Sequence, residues 1–253
     1  MQIAQYGSIA VKIFDTRGEM GKVAAQEAGE CLRALLAHKD EVNCIFASAP
    51  SQNELLDGVA HLDGVDWTRV NAFHMDEYIG LPVGDCRSFS GYLMGRILGV
   101  LPFKSEHVIN GMAPDPEEEC RRYAALLERH PVDVTFMGIG ENGHIAFNDP
   151  PVADFADPLA VKVVELEHAC RVQQVNDGCF ATIDDVPATA ITLTIPALLK
   201  AANIFCVVPG TRKAEAVRNT LTGPIDVSCP ASALRGHPGV RMYVDNDAMS
   251  AVK

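Results

Sequence analysis

The sequence has no excess of positive charge and no long hydrophobic run, and each absence excludes a class of function. The formal net charge is −12. This argues against nucleic acid or an anionic membrane as the main partner, because both require basic surfaces. No run of residues approaches the roughly 18 apolar positions that indicate a transmembrane helix. A phosphorylated ligand remains compatible with an acidic chain, because a few local donors are enough to bind it.

Cysteine pairs of the kind that bind metal are also missing. The eight cysteines stand at positions 31, 44, 86, 120, 170, 179, 206 and 229, without a Cys-x-x-Cys pair or a cysteine–histidine group at zinc spacing. Free thiols in a reducing cytosol are the simplest account. The first residues, Met1 to Tyr6, show no basic region followed by an apolar core, so we expect a cytoplasmic protein without a signal peptide.

Alternating strand and helix patterns predict an α/β fold. Buried strands are expected at 42–47, 70–74, 132–136, 160–166, 188–195, 202–208 and 240–244, and helices at 19–37, 54–61, 88–98, 115–129, 196–200 and from about 211 to 221. Residues 171–180 are polar and remain unassigned. This order implies a mainly parallel sheet with helices on both faces. No repeat or linker divides the 253 residues, so we predict a single domain over 1–253.

The densest chemistry lies at 137–151, directly after a predicted strand. Gly138, Gly140 and Gly143 match the spacing of a dinucleotide-binding loop, but that function also requires a helix that opens inside the glycines. Pro150 and Pro151 would stop such a helix within two turns. His144 and a nearby carboxylate instead indicate a site at a strand end. The alternative is a plain tight loop with His144 on its surface.

Three other strand ends carry polar residues. The stretch 48–52 (Ser-Ala-Pro-Ser-Gln) lies between a strand and a helix. Two alternatives are equally consistent with this position: an anion site, or an ordinary helix cap by Ser51. Asp76 and Glu77 follow the strand at 70–74, and such acids are solvated more often than catalytic. Lys213 stands at a later strand-to-helix turn, where by itself it would be a solvated residue.

Two long motifs together resemble the glucosamine-6-phosphate deaminase/isomerase family. They are Phe73-His-Met-Asp-Glu-Tyr-Ile-Gly-Leu-Pro82 and Gly140-Glu-Asn-Gly-His-Ile-Ala-Phe-Asn-Asp-Pro150, and the likeness extends in the same order through 210–213 and 227–238. The superfamily also contains 6-phosphogluconolactonases and galactosamine-6-phosphate isomerases. The resemblance implies a three-layer α/β sandwich with a Rossmann-like sheet. It also implies metal-free and cofactor-free conversion of glucosamine 6-phosphate, or a close analogue, to fructose 6-phosphate and ammonia in amino-sugar metabolism.

The resemblance implies a role for several residues of these motifs. Asp76 would be the base that moves a proton between C2 and C1, and His144 would help to open the sugar ring. Asp149 stands where the family has a glutamate that supports this histidine. The candidate catalytic set also includes Asn142. The residues expected to bind the substrate are Ser48, Ala49, Ser51, Gln52, Gly138, Gly140, Arg171 and Lys213.

Three positions depart from the pattern of the family. Asn142 replaces an aspartate and cannot supply its negative charge to an imidazolium. Ala49 and Pro50 replace a glycine pair in the phosphate loop, and proline removes one N–H donor. An arginine that contacts phosphate in the deaminases aligns near Asn176, and Arg171 is the nearest arginine. These changes predict a divergent branch with its own substrate.

Two alternative functions follow from the same motifs. A phosphosugar lactonase, which is a hydrolase, would use His144 to activate water without exchanging a carbon-bound proton. A non-catalytic sugar-phosphate sensor would account for Asn142 and the altered loop. The resemblance leaves a homo-oligomer open, because the oligomeric state varies among relatives.

Overall fold

The computed structural model describes residues 1–82 and 84–252. The strands are β1 (Gln2–Tyr6), β2 (Ile9–Phe14), β3 (Val42–Phe46), β4 (Val70–His74), β5 (Asp76–Tyr78), β6 (Ser105–His107), β7 (Val134–Met137), β8 (Val161–Glu165), β9 (Thr189–Leu193), β10 (Asn203–Val208) and β11 (Val240–Asp245). The helices are α1 (Arg17–Leu36), α2 (Asn53–Ala60), α3 (Phe89–Leu93), α4 (Pro116–Arg129), α5 (His168–Asn176), α6 (Ile195–Leu198) and α7 (Ala214–Thr222).

Eight strands form the central sheet in the order β1-β2-β11-β10-β7-β3-β4-β6. All neighbours pair in parallel except β1 and β2, which form an antiparallel hairpin. Every residue of β3, β4 and β7 is buried, as expected of parallel strands that are covered on both faces. The predicted α/β class with a mainly parallel sheet is confirmed.

Helices cover the two faces of this sheet and give it two separate cores. In β3, the side chains of Cys44 and Phe46 join the core beneath α1 and α2, whereas Ile45 joins the opposite core with α4 and α7. This alternation follows from the two-residue period of a strand. The result is a three-layer arrangement, which places the carboxyl ends of the parallel strands along one edge.

A second sheet has the order β5-β9-β8 and is antiparallel. The sequence analysis treated β8 and β9 as part of one mainly parallel sheet, and that expectation is wrong. The alternating pattern of residues 188–195 suggested a strand with one buried face, but residues 190–193 of β9 are all buried. This small sheet matters for function, because β5 begins with Asp76, which pairs with Thr192 of β9.

Most of the predicted element bounds agree with the structure to within a few residues. The N-terminal hairpin β1–β2 and the helix α5 were not predicted. The hairpin strand β1 is largely exposed, so it lacks the apolar run that indicates a buried strand. Helix α5 is polar and has few residues at helical apolar spacing. None of the helices in the described part of the chain is long and apolar enough to cross a membrane.

Candidate active site

A cleft opens where β3, β4, β7 and β10 end. About 510 Å³ of non-atom space lies within it, a volume that includes open solvent. The lining residues follow these strands in turn and are Ala47, Ser48, Ala49, Ser51, Gln52, Met75, Asp76, Phe89, Gly138, Ile139, Gly140, His144, Ala146, Phe147, Gln173, Gln174 and Lys213. Open α/β sheets bind ligands at this edge because the strand-to-loop connections meet there.

Asp76 presents a buried carboxyl group to the cleft. Its side chain is 7% exposed and makes no hydrogen bond within the described residues. Burial, and next the charge of neighbouring Glu77, raises the pKa of Asp76 well above its usual range. A carboxyl group with a raised pKa is a stronger base than an exposed one and is suited to accept and return a proton.

His144 faces the same cleft and is backed by Asp149. The imidazole Nδ1 lies 3.0 Å from Asp149 Oδ1, and both side chains are buried. Burial by itself raises the pKa of Asp149. The contacts with His144 and Asn142 lower this pKa by more than burial raises it, so the net pKa is below the ordinary value. An ionised carboxylate at Nδ1 fixes the tautomer of the ring and leaves Nε2 for proton transfer.

The loop that carries His144 is shaped by close contacts. A Cβ added at Gly140 would lie 2.2 Å from the Nε2 and Cε1 atoms of His144, so only glycine leaves room for the ring there. Ala146 adopts φ of 49°, a left-handed conformation that is uncommon for alanine and clusters at functional sites. No helix opens within these glycines, which agrees with the rejection of a dinucleotide loop.

The other end of the cleft is suited to an anion. Lys213 is only 6% exposed, and its ammonium group has no hydrogen-bond or ion-pair partner among the described residues. Burial lowers the pKa of Lys213, while the charges of Asp177 and Glu141 partly oppose this. The hydroxyl of Ser48 is buried without a partner, and the N–H groups of Ser48 and Ala49 donate to no other described group.

Gln52 and Gly138 also lie at this end of the cleft, but their role is structural. The Gln52 amide donates to Val207 O at 3.0 Å and to Ser51 Oγ at 3.2 Å, so its N–H groups are already used. A Cβ at Gly138 would lie 2.7 Å from Gln52 Nε2. Gly138 therefore allows the Gln52 side chain to tie the loop to β10, and these two residues shape the anion end more than they donate to it.

Arg171 lies outside the cleft. Its guanidinium donates to Ile183 O at 2.7 Å and to Val186 O at 3.0 Å, so it fastens α5 to the following loop. The expectation that Arg171 reaches the substrate does not agree with this placement. Nearness in sequence suggested it, whereas the hydrogen bonds to Ile183 and Val186 direct its guanidinium to the following loop.

Helix α5 contributes residues that sequence reasoning missed. Gln173 and Gln174 line the cleft, and Gln173 Oε1 accepts a hydrogen bond from Glu141 N at 2.8 Å. Glu167, directly before the helix, accepts from Asn142 Nδ2 at 2.8 Å. Recognising 168–176 as a helix would have placed Gln173, Gln174 and Cys170 relative to one another, but not beside His144.

One group of side chains has the composition of a metal-binding site. Donor atoms of His144, Asp149 and Cys170 lie within 4.8 Å of one another, and all three residues are buried. In this arrangement His144 and Asp149 already pair with each other, and burial raises the pKa of the Cys170 thiol well above its usual range. His144 Nδ1 and Asp149 Oδ2 nevertheless have no hydrogen-bond partner among the described residues, so the three donors lie close together without being fully satisfied.

Comparisons with known proteins indicate one protein family. Residues 15–243 match the model of a family described as glucosamine-6-phosphate isomerases/6-phosphogluconolactonase. Over 186 residues the chain is 42% identical to the glucosamine-6-phosphate deaminases of Bacillus thuringiensis (strain Al Hakam) and Bacillus anthracis (strain A0248). Each alignment covers 74% of this chain and 69% of the relative.

Solved structures of similar proteins superpose on this chain over nearly its whole length. A monomeric glucosamine-6-phosphate deaminase superposes with a TM-score of 0.87 at 31% identity, over 95% of this chain and 99% of that one. The 6-phosphogluconolactonase of Thermotoga maritima superposes with a TM-score of 0.77 at 16% identity, over 94% of this chain and 100% of that one. The second likeness concerns the fold alone.

Proposed function

The chain belongs to the glucosamine-6-phosphate isomerase/6-phosphogluconolactonase family, and from this premise we propose that it is an enzyme that isomerises and deaminates a hexosamine 6-phosphate. The substrate is glucosamine 6-phosphate or a close analogue. The observation that carries the proposal is Asp76, a buried carboxyl group with a raised pKa that faces the same cleft as His144. Lactone hydrolysis involves no carbon-bound proton and has no need of such a base.

Asp76 would act on the open-chain aldehyde form of the substrate. It removes the proton from C2 while the C1 oxygen gains a proton from solvent, and it then returns a proton to C1, so that the C2 amine becomes a protonated imine. Water then hydrolyses the imine to a ketone and ammonia. Removal of a proton next to a carbonyl group requires a positioned base, and burial, which raises the pKa of Asp76, makes it a stronger base than an exposed carboxylate.

His144 would serve ring opening, which precedes that step. The closed sugar must lose a proton from the C1 hydroxyl and gain one on the ring oxygen. An imidazole is able to carry both transfers near neutral pH. Asp149, which is 3.0 Å from Nδ1, stabilises the ring while it carries the proton.

The phosphate would occupy the end of the cleft formed by Lys213, Ser48 and Ala49. The unpartnered ammonium group, the free Ser48 hydroxyl and two free N–H groups are the donors that support this placement. The buried charge of Lys213 makes an anionic ligand favourable, because a buried ammonium requires a counter-charge. Phosphate binding then positions the reacting carbons at the other end.

A panel of hexosamine 6-phosphates in deuterated water tests the proposal. Exchange of the C2 hydrogen together with release of ammonia supports it. Acid release from 6-phosphogluconolactone without C2 exchange would identify a lactonase instead. Tight binding of the phosphosugars without either reaction would identify a sensor and would exclude both enzyme activities.

The Asp76→Asn variant tests the role of the base. We expect kcat to fall by at least about 10²-fold, within the range attributed to general acid–base groups. The exposed Asp63→Asn provides a control with the same change of charge. Full turnover by Asp76→Asn would show that another group moves the proton.

Assembly and location remain proposals. The eight cysteines are all free thiols, which supports the expected cytoplasmic, reducing environment. A homo-oligomer stays a prediction, and a monomer is the other expected state because one similar structure is that of a monomeric deaminase. Light scattering in solution distinguishes the two.

A further inference from the structure

The side chain of Asn142 lies between two carboxylates. Its Nδ2 donates to Asp149 Oδ1 at 2.9 Å and to Glu167 Oε2 at 2.8 Å. Its Oδ1 accepts a hydrogen bond from the backbone N–H of His144 at 3.1 Å. A primary amide has two N–H donors and one carbonyl acceptor, so each kind of polar group of Asn142 is used.

An aspartate could not make these contacts. An ionised carboxylate only accepts hydrogen bonds, and at position 142 it would face both Asp149 and Glu167. A carboxylate within hydrogen-bond distance of two others is repelled by both, so at least one of the three would have to bind a proton. The asparagine and Glu167 therefore match each other, and the negative charge missing at 142 is present at 167.

Glu167 is free to take this part. It occupies the position before α5, yet its side chain does not cap its own helix and is turned toward Asn142 instead. Two hydrogen bonds, of 2.8 and 2.9 Å, run from Glu167 through Asn142 to Asp149, and Asp149 Oδ1 lies 3.0 Å from His144 Nδ1 in a close contact that lacks hydrogen-bond geometry. Polar groups that are linked in this way polarise one another in a low-dielectric interior.

We propose that Glu167 is a positioning residue for His144, acting through the Asn142 amide. It holds the amide so that Asp149 stays ionised and aligned with Nδ1, and it adds a second negative charge behind the imidazole. The assignment rests on the proposed function for what His144 does, but not for the coupling itself. The other titratable groups around the ring are the Cys170 thiol of α5 and, across the cleft, Asp76 and Lys213.

Glu167→Gln removes the charge and retains an oxygen that accepts from Asn142. We expect it to lower kcat/KM by about 3- to 10-fold, somewhat less than the loss typical of a direct partner of a functional histidine. The acid limb of the pH profile should move to lower pH. Glu165→Gln, an equal charge change at an exposed site two residues away, should leave both quantities unchanged.

A charge exchange tests the match between 142 and 167. Asn142→Asp alone should lower kcat/KM more than Glu167→Gln does, because it places a third carboxylate in the cluster. The double variant Asn142→Asp/Glu167→Gln has the original number of charges and should recover at least about fivefold over Asn142→Asp, as coupled neighbouring sites do. Full activity of Asn142→Asp with Glu167 present would overturn the proposal.

A readout without turnover separates this proposal from the proposed function. NMR follows the ring resonances of His144 through a pH titration in the unmodified protein and in the two glutamine variants. We expect the midpoint to move to lower pH by roughly 0.3–0.5 units in Glu167→Gln only, because one negative charge behind the ring is lost. Identical titrations in all three proteins would refute the coupling, even if ammonia release were established.

Discussion

At the scale of single residues, the site depends on groups held in states that they would avoid in water. Within the described part of the chain, Lys213 is a buried ammonium group without a counter-ion, and Asp76 is a buried carboxyl group without a hydrogen-bond partner. Both arrangements cost folding free energy. Each becomes favourable when a substrate brings an anionic phosphate or an acidic C–H group into the cleft, so the cost of these states is tied to binding and catalysis.

The unfavourable state of Asp76 predicts a gain in stability when it is removed. Its folded pKa is raised above the unfolded value, so the native state loses stability as pH rises from about 4 through the folded pKa. Asp76→Asn should therefore melt a few degrees higher than the unmodified protein at pH 8, although it is inactive. At pH 4 the gain should largely vanish, because the native carboxyl group is then protonated and the unfolded one is close to its own pKa of about 3.9.

Thermal unfolding at the two pH values checks this prediction. The exposed Asp63→Asn serves as the matched control and should show no pH-dependent gain. A lower melting temperature of Asp76→Asn at pH 8 would mean that the ionised carboxylate is stabilised by its surroundings.

At the scale of elements, Glu77 connects the strand that carries Asp76 to the start of α3. Its carboxylate accepts hydrogen bonds from the backbone N–H groups of Tyr78 at 3.0 Å, Phe89 at 3.0 Å and Ser90 at 2.9 Å. Burial raises the pKa of Glu77, and these hydrogen bonds oppose the increase. Phe89, which α3 places in the cleft, is therefore positioned by the neighbour of the proposed base.

Replacing Glu77 by glutamine should affect both stability and the pH profile. An N–H group of the new amide would face the N–H of Ser90, so we expect a loss of about 1.5–3 kcal/mol and a fall in melting temperature of roughly 3–10 °C. Loss of the Glu77 charge should lower the pKa of Asp76, and the acid limb of kcat/KM should move to lower pH. Calorimetry measures the change in stability, and pH–rate profiles measure the shift of the acid limb, with Glu165→Gln as the control for both. An unchanged acid limb would show that the Glu77 charge does not affect the pKa of Asp76.

At the scale of the whole molecule, the sheet contains a neutral buried histidine beside the site. His74 ends β4, and its Nε2 accepts a hydrogen bond from Ile109 N at 2.8 Å. Burial lowers the pKa of His74 to about 3, and the charge of Glu119 only partly opposes this. Because the unfolded chain takes up a proton near pH 6.5 and the native protein does not, folding stability is lost as pH falls from 6.5 toward 3.

His74→Gln should remove this part of the acid sensitivity. Glutamine retains an oxygen that can accept from Ile109 but has no proton to gain. We expect the stability difference between variant and unmodified protein to shift in favour of the variant by about 2 kcal/mol between pH 7.5 and pH 5, at 1.36 kcal/mol per pKa unit. Urea unfolding at both pH values measures it. The exposed His38→Gln should show no such shift, and an equal shift in both variants would assign the effect to the general loss of a histidine.

The sequence by itself determined the α/β class, most of the strand and helix bounds, and the chemistry of 137–151. These features depend on local patterns: buried parallel strands are apolar throughout, and the two prolines after Asp149 prevent a helix whatever the rest of the chain does. The roles of Asp76, His144 and Asp149 came from motif resemblance, and the structure places all three side chains at the same edge of the sheet.

Only the tertiary structure decided which distant residues meet. The antiparallel pairing of β5, β9 and β8 joins strands that are apart in the sequence. The position of Gln174 in the cleft, that of Arg171 outside it, and the contact of Glu167 with Asn142 depend on how α5 packs against the loop at 137–151. A polar helix without an apolar stripe leaves its orientation unspecified in the sequence. From the sequence alone, Asn142 indicates only that the site has lost an acid. In the folded protein, the Asn142 amide donates hydrogen bonds to two acids, Asp149 and Glu167.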